Sequence, residues 1–371
     1  MGQLTASQVR WGIWGAGRIA HDVGRDLALV AGSSLQAVAA RRPDQARHLA
    51  SVLGAACTRD SLQALCADPN VDVVYIATPN HCHLPDALTC LAAGKPVMCE
   101  KPLAVNLAQA QQLADAARAG RVFCMEAMWT RFIPAVRQAR AWIHEGRIGR
   151  VQALEGSFGY RVKAEPGARL LAPAMGGGAL LDRGVYLLSL AQHLLGAPRS
   201  IQGVWTPTAT GVDEQSSYLL TYADGAVASL TASLCTELSN TFVIAGEHGR
   251  IILRAPFYKA DHLTLQPVIT HDMNAVAPLA PSGLKSRLRQ HPTLQRLARS
   301  LAPWRQAVSS LRSYHLPFSG GGYQFQLAEV AQCLREGRTE SATMPLSDSL
   351  EVARQMDELR RQWGMSLPQD L

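Results

Sequence analysis

Trp11-Gly-Ile-Trp-Gly-Ala-Gly-Arg-Ile-Ala20 is a short apolar run that passes directly into Gly15-x-Gly17-x-x-Ala20. A strand entering a helix through these small residues is built to hold a dinucleotide. Gly15 permits the tight turn, Gly17 lets the backbone approach a pyrophosphate, and Ala20 keeps the new helix close to its strand. The helix that begins at Arg18 and Ile19 then offers its first amides to phosphate. Ordinary strand-helix turns also use glycines, so the motif gains its weight from the next strand along the chain. That second apolar strand, Ser34 to Ala40, ends at Arg41-Arg42. An NAD-binding chain usually places an acid at that distance for the ribose hydroxyls; two arginines suit a 2′-phosphate, which predicts NADP ahead of NAD. The competing reading makes both arginines solvated loop residues beside Asp44.

The chain has 371 residues, 47% of them hydrophobic, which suits two globular domains rather than one core. No apolar run is long enough to span a bilayer and the N-terminus lacks the pattern of a leader, so a cytoplasmic protein without membrane contact is expected. Eight cysteines form no Cys-x-x-Cys pair, which predicts reduced, mostly buried thiols. His81-Cys82-His83 resembles a metal cluster, yet neighbours on an extended segment point to opposite sides, so no metal is expected. The formal net charge is +7. Its source is local: no acid occurs between Asp272 and Glu329, a stretch that carries Lys285, Arg287, Arg289, Arg296, Arg299, Arg305 and Arg312. The remainder is nearly neutral, which argues against a nucleic-acid partner.

The first half alternates strands and helices. Strands are expected at Val9–Trp14, Ser34–Ala40, Val71–Ala77, Pro96–Glu100 and Val122–Glu126, with helices from Arg18 and Pro43 and over His83–Ala93 and Asn106–Ala119. That grammar gives a parallel sheet with right-handed crossovers. Past residue 150 come strands without intervening helices, at Val151–Arg161, Ser200–Thr208, Glu214–Tyr222, Ala226–Leu234, Asn240–Ala245 and Arg250–Arg254, with Asp224-Gly225 and His248-Gly249 as hairpin turns. A helix at Gly178–Leu195 interrupts them, and helices at Tyr323–Glu336 and Ser347–Trp363 close the chain. The fold class expected is therefore α/β in the first half and α+β in the second, with an open, mostly antiparallel sheet. Residues 276–320 read as a basic insertion with loosely helical leucine spacing, dispensable for chemistry.

Polar motifs stand where first-half strands end: Ala77-Thr-Pro-Asn-His-Cys-His83, Glu100-Lys-Pro102 and Met125-Glu-Ala-Met-Trp-Thr-Arg-Phe132. The carboxyl edge of an open parallel sheet is where such folds bind ligands. Together with Gly176-Gly-Gly-Ala-Leu-Leu-Asp182, Tyr186, Leu238-Ser-Asn-Thr241 and the tail Leu367-Pro-Gln-Asp370, these motifs resemble the glucose-fructose oxidoreductase and inositol 2-dehydrogenase (Gfo/Idh/MocA) family. Within it they look like the branch of dimeric dihydrodiol dehydrogenases and NADP-dependent D-xylose dehydrogenases. The resemblance covers nearly the whole chain apart from residues 276–320.

It implies an NADP-binding Rossmann domain over residues 1–127 and a substrate-binding and oligomerisation domain over residues 128–371. It further implies that Thr78, Pro79, Asn80 and His83 line the nicotinamide side of the cofactor, with Glu100 beside them, and that Lys101 reaches both nicotinamide ribose and substrate. Trp129, Arg131, Phe158, Asp182 and Tyr186 would shape the substrate pocket. Arg183 stands where relatives carry an apolar residue and would either pair with Asp182 or face the substrate.

An alcohol loses hydride only as its hydroxyl proton leaves, so a dehydrogenase needs a base at that oxygen. Tyr186 can serve if its phenol is made more acidic, and a lysine cation at Lys101 favours the phenolate. Asp182 completes the expected catalytic set. The competing reading of Tyr186, Trp129 and Phe158 is as core aromatics. The leading function is an NADP-dependent oxidoreductase acting on a sugar (aldose) or cyclic trans-diol hydroxyl, in a homodimer or higher homo-oligomer. The alternative is a non-catalytic, dinucleotide-dependent ligand sensor on the same fold. A third option, hydride exchange between two sugars on a retained cofactor, usually needs a wrapping N-terminal arm, and few residues precede the first strand.

Overall fold

The computed structural model describes residues 8–163, 165, 167–268 and 312–370. Strand β1 (Val9–Trp14) lies inside a six-stranded parallel sheet with β2 (Ser33–Ala39), β3 (Cys57–Arg59), β4 (Val73–Ile76), β5 (Val97–Cys99) and β6 (Cys124–Glu126), ordered β3-β2-β1-β4-β5-β6. Every residue of β4, β5 and β6 is buried because helices cover both faces of the sheet. These are α1 (Arg18–Leu27), α2 (Pro43–Leu53), α3 (Leu62–Ala67), α4 (His83–Ala92) and α5 (Leu107–Gly120). Their ends carry recognisable punctuation. Ser61 accepts from the Ala64 amide at 3.1 Å, Asn106 accepts from the Gln109 amide at 2.9 Å, and Pro43 opens α2. The strand order reverses between β1 and β4, which opens a crevice at their carboxyl ends.

After α6 (Pro134–His144) the chain builds an eight-stranded sheet from β7 (Val151–Gly159), β8 (Ser200–Pro207), β9 (Asp213–Thr221), β10 (Val227–Ser233), β11 (Phe242–Gly246), β12 (Gly249–Leu253), β13 (His262–Pro267) and β14 (Arg312–His315). Its order is β14-β13-β12-β11-β7-β10-β9-β8, antiparallel except for β10 against β7. Strands β13 and β14 escape a sequence reading because they are short and only partly buried. Strand β14 also corrects the expected insertion. Residues 276–311 lie outside the described residues, but Arg312–His315 is an edge strand on β13 and Gly320 lines the crevice of the first sheet.

The helix expected from Gly178 begins instead as a wide π turn over Leu180–Gly184 and becomes α7 only at Val185–Leu195. The buried Asp213 fixes that turn by accepting from the Leu180 amide at 2.8 Å and from Ser216 Oγ at 2.7 Å. Burial raises its carboxyl to about 6, since these bonds only partly offset the lost water.

Two last helices, α8 (Gln324–Arg335) and α9 (Leu346–Trp363), return to the first sheet. Leu346 and Ala353 of α9 are buried among Leu103, Ala110, Leu113 and Cys124. The Leu107 amide donates to Asp357 at 2.8 Å, and the Asn106 side-chain amide donates to Gln369 O and Asp370 Oδ1, both at 3.0 Å.

Candidate active site

Gly15 turns the chain at φ +116, and a Cβ there would stand 2.7 Å from the Ala77 carbonyl oxygen. Only glycine lets β1 leave the sheet this close to the loop after β4. A Cβ on Gly17 would meet no protein atom within 4 Å, so the backbone at the start of α1 faces open space. That space is a cleft of about 1500 Å³. Gly15, Gly17, Arg18 and Ile19 form its middle, while Ala20 is fully buried beneath them. Because β2 lies to one side of β1, Arg41 and Arg42 reach the cleft there, both exposed. Because β4, β5 and β6 lie to the other, Thr78, Pro79 and Asn80, then Glu100 and Lys101, then Trp129 line the opposite end, where Tyr186 joins them from α7.

The charged groups at this end are tightly organised. Lys101 Nζ donates to the Asp182 carbonyl at 2.8 Å, lies 3.6 Å from Asp182 Oδ1, and sits 4.8 Å above the centre of the Tyr186 ring. The Lys101-Pro102 peptide is cis. Burial alone would raise the Asp182 carboxyl, but Lys101, Arg169 and Arg183 outweigh it and hold the group below the usual carboxylate range. Burial pushes the Glu100 carboxyl up despite the Tyr75 hydroxyl that donates to it at 2.6 Å.

Tyr186 differs from expectation. Burial and then the Glu100 charge push its phenol up, opposed by Arg169 and by Trp129 Nε1, which donates to the Tyr186 oxygen at 3.0 Å. The ammonium of Lys101 lies over the ring rather than against the hydroxyl, so its expected acidifying effect is outweighed.

Several residues expected at the ligand act from behind it. His83 is buried, with Nδ1 2.8 Å from the Pro102 carbonyl and Nε2 2.9 Å from the Thr78 carbonyl, and so ties together the two loops that line the cleft. Burial lowers its imidazole to about 4, which leaves it neutral at physiological pH. Arg131 is fully buried, donates to Ser189 Oγ at 2.9 Å and pairs with Asp348 at 2.5 Å. Its guanidinium braces α7 against α9 instead of meeting substrate. Phe158 stacks on Tyr258 at 4.6 Å and stands edge-on to Tyr186 at 5.3 Å, so Tyr258 rather than Phe158 forms the cleft wall.

Arg183 donates to the carbonyls of Tyr160 and Ser233, with its Nε 3.9 Å from Asp182, and does not line the cleft. Arg183→Leu is therefore expected to cost stability while leaving substrate preference unchanged, because two carbonyls lose a charged donor, at about 1–3 kcal/mol for each unmet group. A lower thermal midpoint with an unaltered ranking of neutral and acidic substrates is the predicted result. A changed ranking would place the guanidinium at the substrate.

The sequence reading missed Arg169, Tyr258, Lys259, Gly320, Gly321 and Tyr323, all of which line the cleft. Arg169 pairs with Asp182 at 3.2 Å, and the others arrive from distant loops. The glycines Gly320-Gly321-Gly322 ahead of an apolar helix were the one available signal. Among the described residues all eight cysteines are free thiols, and no helix is long and apolar enough to cross a membrane.

A parallel sheet with its crevice at the switch point, a glycine turn and a polar wall drawn from helices and loops of the second half define an NAD(P)-binding α/β protein of the dehydrogenase type. Residues 9–128 match the family model described as an oxidoreductase family with an NAD-binding Rossmann fold, and residues 136–252 match its GFO/IDH/MocA C-terminal domain. The chain is also 32% identical over 375 residues to the trans-1,2-dihydrobenzene-1,2-diol dehydrogenase of Mus musculus, covering 98% of this chain and 99% of that one. It belongs to the GFO/IDH/MocA oxidoreductase family. Among solved structures, a levoglucosan dehydrogenase in complex with NADH and levoglucosan superposes with a TM-score of 0.78 at 22% identity, covering 96% of this chain and 97% of that one. A 3-ketoreductase from Actinomadura kijaniata in complex with NADP and TDP-benzene gives 0.77 at 24% identity, covering 96% and 98%.

Proposed function

We propose that the protein is an NADP-dependent oxidoreductase that moves hydride between the nicotinamide and a hydroxyl-bearing carbon of an aldose or cyclic trans-diol. The observation that carries this is the convergence of Lys101, Trp129 and Tyr186 at one end of a cleft whose other end presents Arg41 and Arg42. The residues fit the dinucleotide. The open space above Gly17 and the first amides of α1 suit a pyrophosphate, and the two exposed guanidinium groups suit a 2′-phosphate. Thr78, Pro79 and Asn80 would hold the nicotinamide end, where the bound cofactor would supply the hydride acceptor or donor.

Tyr186 exchanges the proton of the reacting hydroxyl. With its phenol raised, it is protonated at neutral pH and poised as the acid for carbonyl reduction; oxidation requires its deprotonated form and gains rate as pH rises. Trp129 fixes the phenol oxygen, and Lys101 places a positive charge where negative charge develops on the substrate oxygen. Exposed Val204, Leu219 and Val227 on the outer face of β8, β9 and β10 support a homodimer through that face, and the free thiols suit the cytoplasm.

The test is to follow NADP reduction against a panel of aldoses, inositols and cyclic trans-diols. Turnover of at least one class is expected, faster with NADP than with NAD. Tight dinucleotide binding with no turnover of any of them would replace the enzyme with the ligand-sensing reading.

A further inference from the structure

The segment Ser319–Tyr323 enters the cleft from the second half of the chain, with Gly320, Gly321 and Tyr323 forming part of its wall. One buried carboxylate fastens it. Asp26, near the end of α1 and 4% exposed, accepts from the Gly321 amide at 2.9 Å on each oxygen and from the Tyr323 amide at 2.8 Å. Bonds from neutral amides to a charged acceptor away from water are the strong kind. The backbone reaches that carboxylate only through left-handed turns at Gly320, φ +78, and Gly322, φ +101. Side chains at either position would also collide. A Cβ on Gly320 would lie 2.7 Å from Asp26 Oδ1, and one on Gly322 would lie 2.8 Å from Ile133 and 3.0 Å from Trp129.

Beyond the clasp, the Tyr323 ring packs on Trp129 with centres 4.4 Å apart, and Trp129 Nε1 donates to the Tyr186 oxygen at 3.0 Å. A continuous path of contacts thus runs from the helix that opens at Gly17, through Asp26, Tyr323 and Trp129, to the Tyr186 hydroxyl.

We infer that Asp26 and Tyr323 are positioning residues: Asp26 clasps the Ser319–Tyr323 segment over the dinucleotide, and Tyr323 carries that clasp through Trp129 to the proton-exchanging hydroxyl of Tyr186. The inference rests on the dinucleotide reading proposed above. Asp26 touches neither reacting atoms nor the phenol. It acts by fixing two amides, and those fix a ring.

The sign of one substitution separates this role from simple charge. An acid in a cleft that receives phosphates repels them, so its removal without a clasp would tighten dinucleotide binding. With the clasp, Asp26→Asn leaves one oxygen for both amides, sets its N–H2 against the Gly321 N–H and removes the charge that strengthens these bonds, and so weakens binding. The expected result is a rise of about 10-fold or more in the NADPH dissociation constant, read by the fluorescence of the bound nucleotide and by the loss of its thermal stabilisation. Tyr323→Leu removes the ring from Trp129 and should lower kcat about 10-fold with little change in NADPH affinity. It should also move the alkaline limb of the pH profile upward, because Trp129 N–H bonding holds the Tyr186 phenol down. Tyr323→Phe keeps the ring and should restore both values.

An unchanged or tighter NADPH constant in Asp26→Asn overturns the clasp. A Tyr323→Leu protein with unaltered kcat and pH profile overturns the relay, as does a Tyr323→Phe protein as impaired as Tyr323→Leu, since the hydroxyl would then be the working group. If Asp26→Asn does not fold, the two Tyr323 variants still decide the relay, and Asp26→Glu, which keeps the charge, decides the clasp by the same NADPH titration. Failure of the unsubstituted protein to bind NADPH overturns the cofactor reading itself.

Discussion

Tyr186→Phe is expected to lower turnover by about 10²- to 10⁴-fold with NADP affinity nearly unchanged, because it deletes one oxygen and keeps the ring. The packing of Phe158 and Tyr258 around that ring needs no hydroxyl. Lys101→Met is expected to lose a similar amount and, in addition, to weaken the cofactor. Its ammonium fixes the Asp182 carbonyl at 2.8 Å and lies 4.8 Å above the tyrosine ring, so it supports the same event that Tyr186 performs. The double variant should therefore be far less damaged than the product of the two losses, as groups acting as a unit require. Single-turnover rates of all three variants, measured with saturating NADP, provide the check. If Tyr186→Phe stays active while Lys101→Met is dead, lysine is the acid and base, and tyrosine only orients the substrate. If both single variants stay active, the catalytic assignment falls and the sensor reading replaces it.

Replacing Arg41 and Arg42 together with alanine should raise the KM for NADP by about 10²-fold or more while altering that for NAD little, since a charge-assisted bond to phosphate is worth about 1.5–3 kcal/mol. Both side chains are exposed at the cleft edge, where β2 gives way to α2, so their removal should not disturb the fold. Equal losses for the two nucleotides would show that the arginines do not read the 2′-phosphate. High salt should shrink the NADP advantage in the unsubstituted protein, as exposed charges are screened.

How much the sequence reveals depends on physical range. The β1 turn, the parallel strands and the polar motifs at their ends are local patterns: Gly15 and Gly17 act within one turn, and Lys101 and Trp129 come directly after their strands. Arg131 misled because its motif is local but its partner is not; a charge next to Trp129 reads as a ligand contact until Asp348 closes over it from α9. Arg169 and Tyr323 carried no signal of their own, for each gains its place through residues far along the chain, Asp182 for one, Asp26 and Trp129 for the other. The short edge strands β3 and β14, and β13 beside β14, are set by sheet pairing more than by their own pattern.

The return of α9 to the first sheet bears on how this protein is made. A ribosome delivers the nucleotide-binding strands early, yet Leu346 and Ala353, which pack against α5 and β6, emerge only after the whole second sheet. Until then the outer surface of α5 is an uncovered apolar face, and Asn106 has no Gln369 or Asp370 to bind. The first half is thus born waiting for the last. Synthesis of α9, rather than of β6, is the moment at which the cleft can take its mature shape.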